Sequence, residues 1–433
     1  MDKIRAQSID ERRKLAYTRQ RFREWVQDSL LFFPLLFMLV AILLVIITRN
    51  ADKYLVLQEN VPEWWYSSAS SAVTISSLVA SSMLAFLAIV FSISLVALQL
   101  ASQQYSPRVI SIFERSPTTK ITLSLFIGAF VFSFIFLNFV LRTDYEKITI
   151  ISLITSVILV FACLIIFIVF MKSILMMIRV TYTISMIADE TRTAIDENLP
   201  LDNAYIECES APFENPDQVI KYTKPPRKLF SQRYEHGVVK GIERSTLVQL
   251  ARKYECVIRV LPMTGEYVNQ EDPIVDVYGD HRIKDEKILK AIYLGPERTV
   301  SQDPAYGIRM LADIALQALS PAVNAPTTAH QVISRLTNLL LIIAQKPEHT
   351  GAYTDNSHQV RLVQPVNTWE DYVELTFSEI MYYGKDDPQT RKSLGDSLEY
   401  LLEKVPEEYK PPIERQKVLL SGNADQNSKD SSH

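Results

Sequence analysis

The sequence predicts an α-helical membrane protein with four transmembrane helices followed by a cytoplasmic α+β domain. Four long apolar runs lie within the first 172 residues. Basic residues cluster on one side of these runs, and short strand-like and helix-like patterns follow the last of them. The chain has 433 residues, of which 48% are hydrophobic, and this suits one membrane domain with one or two soluble domains.

The apolar runs have the length of membrane spans. A helix needs about 20 apolar residues to cross a hydrocarbon core of about 30 Å. A buried helix of a soluble protein would explain one such run, but not four in succession. The runs contain no Asp, Glu, Lys, Arg or His, which argues against an ion-coupled transporter or a voltage sensor. They cover residues 30–48, 73–100, 121–141 and 148–171.

Basic residues predict the direction of the spans. The segment 1–29 is basic, and Arg108, Arg115 and Lys120 lie between the second and third spans. The positive-inside rule therefore predicts a multi-pass protein of the bacterial inner membrane with both termini in the cytoplasm. The aromatic residues at 64–66 suit the outer membrane face. The basic segment is interpreted as a topology signal, with binding to anionic lipid as the alternative.

The part after the fourth span is predicted to contain four segments. Residues 173–229 form a linker that begins as a helix and continues through a proline-rich irregular stretch. Residues 230–300 alternate short strands with a short amphipathic helix, which predicts a small α+β module. Residues 301–420 form a helical region, and the polar residues 421–433 form a disordered tail.

Composition and motifs argue against several classes of function. After residue 180 the chain carries 28 basic and 38 acidic residues, so we expect this part to bind neither nucleic acid nor an anionic lipid surface. The three cysteines and six histidines show no metal or redox spacing, and we expect no metal and no cofactor. Because no glycine-rich phosphate loop, nucleophile elbow or carboxylate pair is recognisable, we do not expect an enzyme.

Small and polar residues form a stripe along one face of the second span. A helix that carried all of them would be about 55 Å long and would continue beyond the membrane. A lipid-facing helix has no need of such a face, so the stripe is predicted to face either water or another helix. Hydroxyl groups commonly line pores, whereas small residues allow membrane helices to approach closely. The stripe consists of Ser70, Thr74, Ser77, Ser81, Ala85, Ala88, Ser92, Val96, Gln99, Gln103 and Ser106.

Arg108 follows the stripe and is predicted to lie at its cytoplasmic mouth. As a functional residue it would form a gate or an anion contact beneath a pore. The alternative is an interfacial arginine at the end of a membrane helix.

A dense group of polar residues surrounds a helix predicted at 304–319. Asp303 is expected to cap this helix, and Glu297 is expected to pair with Arg298. Asn324 is expected to cap the next helix, predicted from about residue 327. A role in structure or assembly is the simpler interpretation, and a ligand-binding or ion-sensing site is the alternative. The group consists of Glu297, Arg298, Gln302, Asp303, Arg309 and Asn324.

Two stretches of this sequence carry a resemblance to a known family. They read SISLVALQLASQQYSPRVI and ERTVSQDPAYGIRMLADIALQALSPAVNAPTTA, and an IGAFVFSFIFL segment lies between them. Over roughly residues 20–345 the chain resembles the domain of unknown function 2254 family of predicted bacterial inner-membrane proteins. The resemblance implies four N-terminal membrane helices and a cytoplasmic domain. Relatives tend to have an acidic residue where this chain has Ala325, so no catalytic or metal role is assigned there.

The leading functional hypothesis is a homo-oligomeric ion channel lined by the second span, with a cytoplasmic domain that assembles or regulates it. The acidic soluble part would concentrate cations at the inner mouth. Its partners would be the lipid bilayer, further copies of the chain, and an inorganic ion or a cytoplasmic ligand. The alternative is a membrane-anchored signalling or scaffold protein that dimerises through the stripe. A membrane enzyme or transporter is the least supported hypothesis and would have to use residues such as Asp303 or Arg309.

Overall fold

The computed structural model describes residues 31–56, 66–104, 116–142, 147–149, 151–199, 225–230, 236–279, 282–347 and 350–430. The chain separates into two compact units, with unit 1 before Val180 and unit 2 from Val180 onward. The basic segment 1–29, Ser106 and Arg108 lie outside the described residues.

Unit 1 consists of four long helices and a short two-stranded sheet. The helices are α1 (Phe32–Val56), α2 (Ala69–Gln104), α3 (Pro117–Leu141) and α4 (Ile151–Met177). Each is long and apolar enough to cross a membrane. With the sheet-containing unit 2, these helices confirm the predicted fold class of four transmembrane helices followed by a domain of helices and sheets. Strand β1 (Tyr66–Ser68) leads into α2 and pairs antiparallel with β2 (Lys147–Thr149), which leads into α4. This sheet marks one end of unit 1, called here the β1–β2 end.

Helix α3 is the most buried of the four, since 44% of its apolar segment is buried, against 17–22% of the apolar segments of the other three. Its inward face carries Phe126, Phe132 and Phe136, which are almost fully buried. The outer faces of α1, α2 and α4 keep large apolar side chains exposed. This arrangement suits helices that are surrounded by hydrocarbon, since an apolar outer surface costs nothing there.

Helices α1 and α3 extend beyond the predicted spans, and the additional residues include charged ones that are buried within unit 1. The first span was expected to end at residue 48, but α1 continues past Arg49 and Asp52. The third was expected to start at 121, but α3 already contains Lys120. Asp52 is 9% exposed and Lys120 is 4% exposed, so only the middle parts of these helices lack ionisable side chains. In each case the apolar run ends at a charged residue, although the helix continues beyond it.

The other two spans differ less from the helices. Helix α2 contains the whole of the predicted span 73–100. The predicted start of the fourth span at residue 148 is too early, because Ile148 and Thr149 pair in β2 and α4 begins at Ile151.

Unit 2 combines helices with two small sheets. Its helices are α5 (Val180–Asn198), α6 (Arg244–Lys253), α7 (Asp285–Leu289), α8 (Pro304–Leu319), α9 (Pro326–Ala344), α10 (Trp369–Gly384), α11 (Pro388–Lys404) and α12 (Lys410–Asp430). Its strands are β3 (Arg227–Phe230), β4 (Gly237–Ile242), β5 (Val257–Val260), β6 (Tyr267–Val268), β7 (Pro273–Tyr278), β8 (Ile292–Gly295), β9 (Ala352–Thr354) and β10 (Val360–Val363). Short 3-10 turns occupy residues 300–302 and 407–409.

The strands form one sheet in the order β3-β7-β5-β10-β9 and another in the order β6-β4-β8. Strands β5 and β10 pair parallel, and the other neighbours pair antiparallel. Ile258, Val275 and Leu362 lie in the buried apolar core of these sheets. The core therefore joins residues from distant parts of the chain.

This topology corrects the predicted boundary between an α+β module at 230–300 and a helical region at 301–420. Strands β9 and β10 lie inside the supposed helical region, yet they complete the sheet that contains β5. Each is only three or four residues long, so neither shows enough alternation to be recognised in sequence. Strand β3 likewise begins at Arg227, inside the predicted linker.

The C-terminal tail also differs from the prediction. Residues from 421 onward were expected to be disordered, but α12 continues to Asp430. A helix that is already formed extends at little cost, because each further residue adds a hydrogen bond. Residues 431–433 lie outside the described residues.

Candidate functional site

The stripe lies on the side of α2 that faces away from the rest of unit 1. The stripe residues from Ser70 to Gln99 are all exposed. The opposite side of α2 carries Ala72, Met83 and Val90, which are buried. The stripe is therefore not used for packing within the described part of the chain. The side chain of Gln103 and the whole of Ser106 lie outside the described residues.

The hydroxyl groups of the stripe bind to their own helix. Thr74 donates to the Ser70 carbonyl at 2.9 Å, Ser77 to the Thr74 carbonyl at 2.9 Å, and Ser81 to the Ser77 carbonyl at 2.9 Å. Such bonds satisfy a hydroxyl donor without an external partner. This face can thus meet water, lipid or another helix without leaving these donors unpaired.

Asp303 caps helix α8, as predicted from its position before Pro304. Its Oδ1 accepts a hydrogen bond from the Tyr306 backbone N–H at 3.1 Å. Its Oδ2 accepts from Arg298 Nη2 at 2.6 Å and from Arg298 Nε at 3.0 Å. Burial raises the pKa of the Asp303 carboxyl above its usual range, although the neighbouring Arg298 charge opposes the shift. Both carboxylate oxygens are engaged, which indicates a structural ion pair.

Arg298 pairs with Asp303, whereas a pair with Glu297 was expected. Glu297 is exposed, while the Arg298 guanidinium lies 4.9 Å from the centre of the Tyr306 ring. The loop residue Gly265 approaches this pair closely and has a φ of +90°. A side chain at position 265 would overlap both charged groups. The sequence shows two adjacent opposite charges, but it does not show which carboxylate the fold brings to the arginine.

Gln302 and Arg309 connect different elements of unit 2. The Ile242 backbone N–H donates to Gln302 Oε1 at 3.2 Å, which ties strand β4 to the turn before α8. Arg309 forms an ion pair with Asp313 at 2.9 Å and a two-pronged pair with Glu379 of α10. Both residues therefore hold elements together.

Asn324 does not cap α9, which corrects the prediction. The N-cap position is Ala325, and no side chain there accepts a hydrogen bond. Asn324 is exposed and has a φ of +45°, a left-handed conformation that asparagine adopts more readily than most residues. Its role is to turn the chain between α8 and α9. The predicted polar group is thus several structural contacts and not one site.

The structure also contains a buried polar contact that the sequence did not indicate. Ser152 of α4 donates to Asp52 Oδ2 of α1 at 2.5 Å. Ser152 is 1% exposed, so this contact lies inside unit 1. In the sequence, Asp52 follows Arg49 just after an apolar run. This position indicates the end of a membrane span and does not predict that Asp52 is buried.

Comparisons with known proteins agree with this architecture. A family model described as "Predicted membrane protein (DUF2254)" matches residues 27–400. An uncharacterized protein of Mycobacterium bovis and one of Mycobacterium tuberculosis are each 24% identical to the chain over 321 residues. The match covers 72% of this chain but only 60% of each relative, so the chain spans about three fifths of the curated relatives it matches. No solved structure shows a significant match.

Proposed function

Because the chain belongs to the DUF2254 family of predicted membrane proteins, we propose that it is a homo-oligomeric inner-membrane channel whose α2 helices line the pore. The observation that carries the proposal is the exposed stripe on α2. Its described residues face outward over most of a 36-residue helix, while the opposite face of α2 packs inside unit 1. Several copies arranged around an axis would enclose these faces together.

The composition of the stripe supports a pore more than a lipid contact. Ser and Thr hydroxyls in the first half, followed by Gln99, would offer acceptors to a partly hydrated ion. Ala88 and Val96 interrupt the polar residues and would form the apolar constriction at which such pores close. The acidic unit 2 is proposed to lie in the cytoplasm, where its charge would favour cations at the inner mouth.

Cysteine accessibility tests whether the stripe is wet. In a variant without the three native cysteines, single Cys substitutions at Ser77, Ser81 and Ser92 are expected to react with a membrane-impermeant thiol reagent. A Cys at Ile165, exposed on α4, serves as the lipid-facing control and is expected to react slowly. Equal protection at all four positions would contradict an aqueous stripe.

Conductance tests the channel itself. Purified protein in planar bilayers is expected to pass current, and the thiol reagent is expected to reduce the current of the Ser81→Cys variant. The Ile165→Cys variant provides the control, since its modification should leave the current unchanged. Absence of current under voltage, membrane tension and changes of pH would exclude the proposal.

A second candidate is a membrane-anchored signalling or scaffold protein that dimerises through the stripe. The observation that favours it is that Thr74, Ser77 and Ser81 are already satisfied by their own helix. A contact between two copies that excludes water would therefore leave none of these three hydroxyl donors unpaired. Disulfide cross-linking of Ser77→Cys between copies, with protection from aqueous reagents and no current, would favour this candidate.

A further inference from the structure

Three serines of unit 1 are completely buried and make no hydrogen bond within the described part of the chain. They are Ser76 on α2, Ser133 on α3 and Ser156 on α4, each 0% exposed. A hydroxyl without a partner in an apolar interior is unfavourable, because the group has lost its bonds to water and gained none. Three such hydroxyls on three neighbouring helices call for a common explanation.

Other hydroxyl side chains of the same helices show that a partner within the helix is available. Ser94 of α2 donates to the Val90 carbonyl at 2.8 Å, and Ser124 of α3 donates to the Lys120 carbonyl at 2.6 Å. Thr155 of α4 donates to the Ile151 carbonyl at 2.9 Å. The three unpaired hydroxyls could bind their own helices in this way and do not. Their oxygens are therefore free to bind a ligand between the helices.

Their positions along α2, α3 and α4 place the three serines at a similar level, between two apolar clusters. The cluster nearer the β1–β2 end consists of Ala72, Phe136, Val140 and Leu153. Ser76, Ser133 and Ser156 each lie three or four residues from a member of this cluster, in the direction away from that end. This is one helical turn on the same faces of α2, α3 and α4.

A second apolar cluster closes the layer on its other side. It includes Met83 of α2, Ala129 of α3 and Cys163 of α4, all buried. These residues lie one or two turns beyond the serines on the same three helices. The hydroxyl layer therefore has apolar residues on both sides along α2 and α3.

The layer continues toward the buried contact between Asp52 and Ser152. Ser152 lies one turn before Ser156 on α4, on the same face of the helix. Its hydroxyl donates to Asp52 Oδ2 at 2.5 Å, and both residues are more than nine-tenths buried. Polar groups thus extend from the carboxylate into the layer along α4.

We propose that Ser76, Ser133 and Ser156 bind ordered water inside unit 1, next to the Asp52–Ser152 contact. A buried water molecule typically makes about three hydrogen bonds to otherwise unsatisfied polar groups, and this layer offers three hydroxyls. A bare cation suits the layer less well, since neutral hydroxyls replace its hydration poorly and the Asp52 carboxylate lies beyond Ser152. The apolar cluster around Met83 ends the polar section, so the water is bound and does not cross unit 1.

Solid-state NMR of the full-length protein in liposomes tests this directly. Magnetisation transferred from water is expected to reach Ser76, Ser133 and Ser156 faster than Ser124. Ser124 is the matched control because it is also fully buried but binds its own helix. Transfer to the three serines that is no faster than transfer to Ser124 would overturn the proposal.

Alanine variants give an independent test through the sign of the effect. Ser76→Ala, Ser133→Ala and Ser156→Ala are each expected to lower the Tm relative to Ser124→Ala, because each removes a ligand of the water. The decrease in Tm of the triple variant is expected to be smaller than the sum of the three single decreases, because loss of one serine already weakens binding of the water by the other two. Single variants that raise the Tm relative to Ser124→Ala would mean dry, unpaired hydroxyls and would overturn the proposal.

Discussion

At the scale of single residues, Asp303 combines a helix cap with an ion pair. Each carboxylate oxygen has its own partner: Oδ1 accepts a hydrogen bond from the Tyr306 backbone N–H, and Oδ2 accepts one from Arg298. The Asp303 side chain is only 3% exposed, whereas the Arg298 side chain is 34% exposed. Removing Arg298 leaves a buried carboxylate without its partner, whereas removing Asp303 leaves a guanidinium that is about one third exposed, so the two losses differ in cost.

A double-mutant cycle measures this pair. Asp303→Asn keeps an oxygen for the cap but removes the charge, and Arg298→Met keeps the apolar contact with the Tyr306 ring. We expect a coupling free energy of at least about 1 kcal/mol, because a hydrogen bond to a charged group contributes about 1.5–3 kcal/mol. Thermal unfolding of the full chain in detergent gives the values. Additive losses in the double variant would contradict the ion pair.

Asp355 gives unit 2 a stabilising contact that depends on pH. Its Oδ1 accepts from the Ser357 and Gln359 backbone N–H groups, and its Oδ2 accepts from Arg361 Nε at 2.7 Å. Burial by itself raises the pKa of Asp355, but the hydrogen bonds from Arg361 and the two backbone amides outweigh it, so the pKa lies below its usual value.

This direction of the pKa shift predicts a loss of stability in acid. The stabilisation is complete above the pKa of an unfolded aspartate, about 3.9, and is lost as the pH falls through the lower folded value. We expect Asp355→Asn to lower the Tm at about pH 6 and the difference from wild type to narrow toward about pH 3. A difference that stays constant over this range would show that the carboxylate charge has no role.

At the scale of elements, α5 and α8 pack closely because of one glycine. Thr191 of α5 is fully buried, and its Oγ1 would overlap a Cβ at Gly307 of α8. The same Oγ1 donates to the Ile187 carbonyl at 2.7 Å, so it has little freedom to move away. The contact thus depends on the absence of a side chain at position 307.

Two glycine variants test this contact against a matched control. Gly307→Ala is expected to lower the free energy of unfolding by about 1–3 kcal/mol, the usual cost of overpacking. Gly395→Ala on α11 is expected to raise it by about 0.5–1 kcal/mol, because alanine is the better helix former. At position 395 the nearest atom, Leu420 Cδ2, lies 4.0 Å from the added Cβ. Thr191→Ala should partly rescue Gly307→Ala, and a stabilising Gly307→Ala would refute the close packing.

At the scale of the whole molecule, patterns that repeat over many residues could be predicted and single contacts could not. The four apolar helices follow from long uninterrupted apolar runs, and the helices α8 and α9 follow from helical periodicity. Strands β9 and β10 are too short for a period, and the partner of Arg298 depends on the turn at 300–302. Periodicity also identified the stripe on α2, but it could not tell which face of that helix the rest of unit 1 buries.

The parallel pairing of β5 with β10 has a consequence for biosynthesis. Ile258 pairs with Leu362, although α7, α8 and α9 all lie between them in the chain. On the ribosome, β5 emerges long before its partner, and until then its free edge can pair with another nascent chain. Closing so long a loop also slows folding. A polypeptide released before residue 360 would therefore be expected to aggregate, and the yield of C-terminal truncations should fall sharply at that point.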